Sequence, residues 1–282
     1  PALIRSEAYV VPRNELESQL CQIWGQVLGL PEDVIGVQDD FFALGGHSLS
    51  AFRVLSLANE AFSVQLPART LFEYPSIETL TLFIKKAQED PLISQEMVSP
   101  LIALKKNGFK VPLFLIHPLG GTIFWYKALS RYLDNNRPIY AIQDPGINTS
   151  ELLFNSLEEM ASSYLKTIKE IQPNGPYLLA GASFGGTVSM EMANQLLKSG
   201  EKVNFLGLMD AWPVYSEKFW DEDFLKRIML QQYHDQDIDN LEFLLKLHLH
   251  RSLMLRDYKI PFINIKITFF CKRNILFSSF LL

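Results

Sequence analysis

The apolar residues of this chain change their spacing near residue 100, and this change constrains the fold more than any other feature. Before it, apolar residues recur at the three- and four-residue intervals of amphipathic helices. The helical segments are 14–28, 49–62 and 76–84, and one short turn at 70–74 lies between the last two. Gly29 follows the first segment in the way that a C-cap glycine follows a helix. Four short helices in this region predict a small all-α bundle.

Beyond residue 100 the apolar residues form short uninterrupted runs. The runs are 112–116, 138–142, 177–180, 205–209 and 263–270, and helical patterns occupy 157–171 and 187–197. Buried runs that alternate with amphipathic helices predict an α/β domain with a mostly parallel sheet. In such domains the functional residues lie at the carboxyl ends of the strands.

The segment between these two regions has no periodicity and is typical of a linker. Residues 88–100 contain Pro91, Ser94, Ser99 and Pro100. We therefore predict an all-α domain at 10–87, a linker at 88–100 and an α/β domain at 101–282.

Composition excludes several classes of partner. The net charge of −5, without a Lys/Arg run, argues against a nucleic-acid partner. Cys21 and Cys271 are too few and too far apart for a disulfide framework or a metal site, and they suit a reducing cytosol.

No signal-peptide pattern and no membrane-spanning apolar stretch is present, so we expect a cytoplasmic location and no membrane partner. The first residue is Pro1, which suggests a piece of a longer polypeptide or a processed product.

The longest motif, at 39–51, surrounds Ser48. Gly45 and Gly46 free the backbone just before this serine, and a helical pattern begins just after it. A hydroxyl at a helix N-terminus lies where free N–H groups and the helix dipole favour a phosphate ester. The alternative is that Ser48 is only the N-cap of the helix.

A second serine, Ser183, lies in the segment Gly-Ala-Ser-Phe-Gly-Gly at 181–186, between a predicted strand and a predicted helix. Small residues must flank a nucleophile on a strand-to-helix elbow, because the tight turn would otherwise collide with neighbouring strands. We therefore predict that Ser183 is a nucleophile. The alternative is a glycine-rich packing turn with a capping serine.

Two further segments at predicted strand ends complete a candidate site. Asp210 ends the next strand, 27 residues after Ser183, and an aspartate there could orient a catalytic histidine. Its alternative role is a turn or helix-cap acid. The loop His117-Pro118-Leu119-Gly120-Gly121 could aim the N–H of Leu119 at an oxyanion, together with the N–H of Phe184. We expect His117 to fix this loop by hydrogen bonds rather than to act as the base.

The segment 39–51 resembles the phosphopantetheine attachment motif of carrier domains in nonribosomal peptide synthetases. The resemblance implies that Ser48 holds a covalent 4′-phosphopantetheine arm, which carries an acyl or peptidyl thioester. It also implies a phosphopantetheinyl transferase and upstream adenylation and condensation modules as partners.

The segments 114–121, 177–186 and 206–212 resemble the type I thioesterase that closes nonribosomal peptide and polyketide assembly lines. This implies an α/β-hydrolase fold, in which Ser183 takes the acyl chain and releases it to water or to an internal nucleophile. Carrier followed by thioesterase is the order of a terminal module. In this family the helical stretch 220–258 corresponds to a lid over the acyl pocket, although ordinary core-facing helices explain its pattern equally well.

The sequence departs from the family pattern at the catalytic histidine, which belongs after a further strand and loop. His234, His248 and His250 come too early for that role, so the thioesterase domain reads as incomplete at its C-terminus. The apolar tail 274–282 looks like an abrupt end. Whether the chain is an enzyme therefore stays open between a competent thioesterase and a carrier module with an inactive thioesterase remnant. The attachment motif disfavours a third possibility, a stand-alone serine hydrolase.

Overall fold

The computed structural model describes residues 9–67, 69–90, 99–149, 151–211, 221, 223–224, 226–227 and 238–270. The chain divides into two compact units, Pro1–Ser99 and Pro100–Leu282.

The first unit is helical, as predicted. Its helices are α1 (Glu15–Leu28), α2 (Ser48–Phe62), α3 (Thr70–Glu73) and α4 (Ile77–Glu89), with a 3₁₀ turn at Glu32–Val34. The side chain of Asn14 caps α1 by accepting the Glu17 N–H at 3.0 Å, and Ser76 caps α4 in the same way. Gly29 ends α1 in the left-handed conformation, with φ of 66°.

The core of this unit anchors the loop that precedes α2. Trp24 is fully buried, and its ring meets the edge of Phe41 at a centroid distance of 5.0 Å. A Cβ atom at Gly46 would lie closer than 3.0 Å to the Phe41 ring, so no larger residue fits between that ring and the start of α2. The hydrophobic core thus fixes where the α2 N-terminus begins.

The second unit is built on one six-stranded sheet. Its strands are β1 (Leu101–Lys105), β2 (Leu113–Ile116), β3 (Ile139–Ile142), β4 (Tyr177–Ala182), β5 (Val203–Met209) and β6 (Ile267–Phe270). They lie in the order β1-β3-β2-β4-β5-β6, and only β1 pairs antiparallel. The central strands β2 and β4 are buried along most of their length, as expected for a sheet covered on both faces.

Within the described ranges, the helices of this unit include α5 (Phe124–Tyr132), α6 (Gly146–Thr149), α7 (Leu157–Ile171), α8 (Phe184–Lys198) and α9 (Ile238–Asp257). The apolar faces of α7 and α8 join the sheet in one core. On α9, Leu244, Leu247 and Met254 are buried, so this helix faces the core in part. The rest of the predicted lid region, from 220 to 237, lies mostly outside the described residues.

The predicted fold class, a helical bundle followed by a mostly parallel α/β domain, is confirmed. The domain limits 10–87 and 101–282 stay a prediction, and most of the proposed linker lies outside the described residues. Among the helices that the structure describes, none is long and apolar enough to cross a membrane.

Candidate active site and attachment site

Ser48 is the first residue of α2, and His47 occupies the N-cap position in extended conformation. The His47 N–H donates to the Ser50 hydroxyl at 2.8 Å, and that hydroxyl donates to the His47 carbonyl at 2.9 Å. Since the cap position belongs to His47, the alternative role of Ser48 as the N-cap does not hold. Residues at the start of a 15-residue helix lie beside free N–H groups, and this setting suits a phosphodiester.

Ser183 lies between the last residue of β4 and the first residue of α8, with φ of 49° and ψ of −122°. This backbone conformation is unfavourable for a residue with a side chain, by about 1–3 kcal/mol. The surrounding structure holds it in place. The Ser183 N–H donates to the Met209 carbonyl at 2.9 Å, and the Ser183 carbonyl accepts the Gly186 N–H at 2.9 Å. Ser183 itself is half-buried.

Three glycines around Ser183 are required by close packing, two of them against backbone atoms. A Cβ atom at Gly181 would lie closer than 3.0 Å to the Gly185 carbonyl, and one at Gly185 would meet the Ile116 carbonyl. A Cβ atom at Gly186 would lie closer than 3.0 Å to the Cβ atom of Ala211. The sequence has glycine at these positions because the elbow packs tightly against the neighbouring strands.

Asp210 lies beside Ser183 at the carboxyl edge of the sheet. Each residue directly follows a paired strand residue, because Ala182 of β4 is in register with Met209 of β5. Asp210 also has a positive φ, 45°, and its N–H donates to the Phe270 carbonyl at 2.9 Å. The structure thus brings the two predicted residues to adjacent strand ends.

His117 is fully buried in the loop after β2. Its Nδ1 lies 2.7 Å from the Pro118 carbonyl oxygen, and its Nε2 lies 2.7 Å from the Tyr164 hydroxyl. A carbonyl only accepts, so Nδ1 carries the proton and Nε2 accepts from the tyrosine. Burial, reinforced by the Arg251 cation, lowers the pKa of His117 to about 4. The ring is therefore neutral at pH 7, and the prediction that it fixes the loop is confirmed.

The hydrogen bonds of the Pro118 carbonyl set the direction of the Leu119 N–H. This carbonyl accepts from His117 Nδ1 and from the Gly121 N–H, at 2.9 Å in the second case. In a planar trans peptide the C=O and the N–H point in opposite directions, so the Leu119 N–H points away from His117. Phe184 opens α8, and its N–H has no acceptor within the helix. The backbone thus sets the direction of the Leu119 N–H and leaves the Phe184 N–H free of a helical partner, and their role at an oxyanion stays a prediction.

Tyr126 on α5 is a residue of this site that sequence reasoning missed. Its buried hydroxyl donates to the Ile116 carbonyl and accepts the Ala182 N–H at 3.0 Å. One hydroxyl therefore joins the carboxyl ends of β2 and β4 immediately before Ser183. No motif marks this tyrosine, which lies 57 positions before the serine in the sequence.

A buried ion pair behind the loop was also missed. Arg251 of α9 donates from Nε to Asp144 Oδ2 at 3.0 Å, and its Nη1 donates to the Leu119 carbonyl. Asp144 also accepts the Gly146 N–H at 2.7 Å. Burial opposes ionisation of Asp144, but its favourable interactions, of which that with Arg251 is the largest, together outweigh burial, so the pKa of this carboxyl lies below its usual value. The two residues are 107 positions apart, and the sequence gives no signal that they pair.

The remaining described histidines are engaged elsewhere. His248 Nδ1 lies 2.7 Å from the Leu244 carbonyl, and His250 Nε2 contacts the Phe154 carbonyl. Within the described ranges, no histidine is hydrogen-bonded to the Ser183 hydroxyl. His234 and the tail 271–282 lie outside those ranges. Nor does the described part of the chain contain a cluster of His, Cys, Asp and Glu that could hold a metal ion.

Two protein-family models match the chain. One is described as "Thioesterase domain" and matches residues 111–272, and the other is described as "Phosphopantetheine attachment site" and matches residues 18–84. The order of the two matches agrees with the two structural units.

The curated proteins to which this chain is similar include a synthase and a synthetase. The chain is 40% identical over 202 residues to a dimodular nonribosomal peptide synthase of Bacillus subtilis (strain 168), and this match covers 72% of the chain and 8% of the relative. It is 38% identical over 205 residues to malpinin synthetase of Mortierella alpina, covering 73% of the chain and 3% of that protein. The chain thus spans a small part of these relatives.

Solved structures agree with these matches. A four-domain nonribosomal peptide synthetase, holo-AB3403 bound to AMP and glycine, matches with a TM-score of 0.57 and 28% identity, covering 95% of the chain and 23% of that structure. The NocB thioesterase domain, in covalent complex with a fluorophosphonate nocardicin G analogue, matches with a TM-score of 0.54 and 26% identity, covering 60% and 76%. The resemblance predicted from the motifs is confirmed.

Proposed function

The chain belongs to the thioesterase domain family and has a phosphopantetheine attachment domain before it, and from that premise we propose that it holds an acyl or peptidyl chain at Ser48 and releases it through Ser183. The release is hydrolysis or cyclisation at the end of nonribosomal peptide synthesis. The proposal includes a phosphopantetheinyl transferase and upstream adenylation and condensation modules as partners.

In this proposal Ser48 is the point of attachment. The attachment domain carries 4′-phosphopantetheine covalently, and this group supplies a thiol that holds the acyl chain as a thioester. The support from the structure is the position of Ser48 at the start of α2, where N–H groups and the helix dipole stabilise a phosphodiester by about 0.3–1 kcal/mol. Gly46, tight against Phe41, fixes this position.

Ser183 is the proposed nucleophile. Its Oγ attacks the acyl carbonyl carbon, a C–O bond forms, the C–S bond breaks, and the hydroxyl proton ends on the departing sulfur. Water or a nucleophile of the acyl chain then attacks the ester carbonyl carbon and bonds to it, the bond between Ser183 Oγ and that carbon breaks, and the proton of the attacking group returns to the Ser183 oxygen. The N–H groups of Leu119 and Phe184 stabilise the oxyanion in both steps, and each such donor is worth about 10²–10³ in rate. Asp210 is the proposed partner of the catalytic histidine.

One observation carries this proposal: Ser183 occupies a strained elbow that the packing of three glycines maintains. A serine that only capped a helix would gain nothing from φ of 49°, because N-cap residues adopt extended backbone. Strain that the structure holds in place at one residue is typical of functional positions.

A second function, a carrier whose thioesterase unit is inactive, is favoured by the positions of the described histidines. His117 is buried and neutral with both ring nitrogens bonded, and His248 is bonded within α9. Removal of the histidine from a serine triad lowers turnover by about a million-fold. This second function predicts loading at Ser48 without turnover at Ser183.

Intact-mass measurement of the full chain separates the two. The chain is incubated with a phosphopantetheinyl transferase and an acyl-coenzyme A, and the proposal predicts one adduct that disappears in Ser48→Ala. Ser56→Ala, an exposed serine on the same helix, is the matched control and keeps the adduct. A further acyl adduct that disappears in Ser183→Ala supports release through Ser183. Loading without acyl transfer supports the second function, and the absence of any adduct at Ser48 contradicts both.

A further inference from the structure

Arg251 is fully buried, and its donors reach two segments: Asp144, just after β3, and the loop that follows β2. Its Nε donates to Asp144, and its Nη1 donates to the Leu119 carbonyl. Taking a guanidinium and a carboxylate out of water is unfavourable, and hydrophobic residues of similar size often serve stability equally well. Stability alone is therefore a weak reason for a charged pair at this position.

The loop is shaped around the arginine. A Cβ atom at Gly121 would lie closer than 3.0 Å to both terminal nitrogens of Arg251, so this glycine leaves the space that the guanidinium occupies. Asp144 is tied to the same loop, because its N–H donates to the Gly121 carbonyl at 2.9 Å. Arg251, Asp144 and Gly121 thus form one connected unit.

This unit fixes Leu119 on its C-terminal side. His117 anchors the carbonyl of the peptide before Leu119, and Arg251 anchors the carbonyl of the peptide after it. When both flanking peptide planes are fixed, the backbone of Leu119 has little freedom to rotate. The direction of its N–H is then set before any substrate binds.

We propose that Arg251, held by Asp144, is a positioning residue that fixes the Leu119 N–H for oxyanion stabilisation and so links α9 to the acyl-transfer site. The expected effect of Arg251 on the acyl-transfer rate rests on the proposed function of Ser183. An oxyanion donor acts in the transition state, so its displacement lowers kcat and leaves KM unchanged.

The test compares three variants of the full chain. Arg251→Met removes the guanidinium and leaves Asp144 without it, which destabilises the unit. Arg251→Met/Asp144→Asn also removes the carboxylate charge, so part of the stability returns while the bond to Leu119 stays absent. Lys246→Met, which breaks an exposed ion pair with Glu242 on the same helix, is the matched control.

Hydrogen exchange measures the position of the loop without any need for catalysis. We expect the amides of residues 119–121 to exchange at least about tenfold faster in both Arg251 variants, because anchored peptides open less often. Exchange in β4 and in the Lys246→Met control should stay as in the parent chain. If the double variant recovers stability and the amides of residues 119–121 exchange at the same rate as in the parent chain, the inference is overturned.

Acylation of Ser183 gives the second measurement. The substrate is a short acyl thioester of N-acetylcysteamine, and the adduct is followed by intact mass. We expect the maximal acylation rate to fall about tenfold or more in the double variant, with the half-saturating concentration unchanged. A rate that recovers together with stability shows that Arg251 is only structural. If the parent chain forms no adduct at Ser183, the proposed function fails, and the exchange measurement still decides whether Arg251 fixes the loop.

Discussion

Replacement of Gly185 by alanine should destabilise the thioesterase unit and disturb the elbow. The added methyl would lie closer than 3.0 Å to the carbonyl oxygens of Ile116 and His117. Both are backbone atoms at the end of a central strand, so neither can move as a flexible side chain can. Overpacking of this kind costs about 1–3 kcal/mol, which corresponds to a fall in melting temperature of about 2–12 °C for a unit of this size. Scanning calorimetry of the full chain measures this fall in melting temperature.

Gly120→Ala is the matched control. The nearest atoms to its added methyl belong to His248, at 3.9 Å, which is ordinary contact. Both substitutions reduce the freedom of the unfolded chain equally, so their difference isolates the clash. We expect Gly120→Ala to change stability by less than about 0.5 kcal/mol. Equal melting temperatures for the two variants would show that the elbow is not packed as tightly as described.

Three further predictions concern single side chains. Tyr126→Phe leaves two buried backbone groups without their shared partner and should cost about 1–3 kcal/mol, whereas Tyr132→Phe, at a residue that is 88% exposed, should cost nothing measurable by calorimetry. The pKa of His117 is about 4 when folded and 6.5 ordinarily, so the unfolded state binds the proton first as pH falls; stability is complete above about pH 6.5 and declines towards pH 4. Between pH 7 and pH 5, protonation of His117 should lower the free energy of unfolding by about 2 kcal/mol. Urea titrations should show that this pH dependence disappears in His117→Gln. An unchanged dependence on pH in that variant contradicts the buried neutral ring. Asn14→Ala removes the α1 cap and should cost about 1 kcal/mol in urea unfolding of the carrier unit, and no change would rule out that cap.

The sequence predicts best those elements whose signal is local. The terminator Gly29 and the runs that became β2 to β5 are all visible in a few adjacent residues. Strand β1 was missed, because it lies at the sheet edge and only Ile102 of its five residues is buried. At 263–270 only the last four residues form a strand, since the apolar pattern begins four residues before the part that pairs with β5.

The same distinction applies to the candidate site. Ser183 and its glycines could be predicted because one turn imposes all of them. Tyr126, Asp144 and Arg251 could not, because a hydroxyl bridge and a buried ion pair are created by packing between distant elements. A tyrosine or an arginine in an amphipathic helix gives the same sequence pattern whether its side chain faces solvent or a strand end.

The two serines depend on the structure to different degrees. Ser48 needs the start of one helix and the loop packed on Phe41, and the added group is attached by a separate enzyme in the proposed function. In the proposed function, Ser183 needs a strained backbone that β2, β4, β5 and α8 together maintain, and the proposed oxyanion donor Leu119 needs the loop contacts of His117 and Arg251. Local strain persists only while its surroundings over-determine it. Substitutions that loosen the second unit should therefore abolish release at Ser183 while loading at Ser48 continues, because the two positions rest on separate hydrophobic cores.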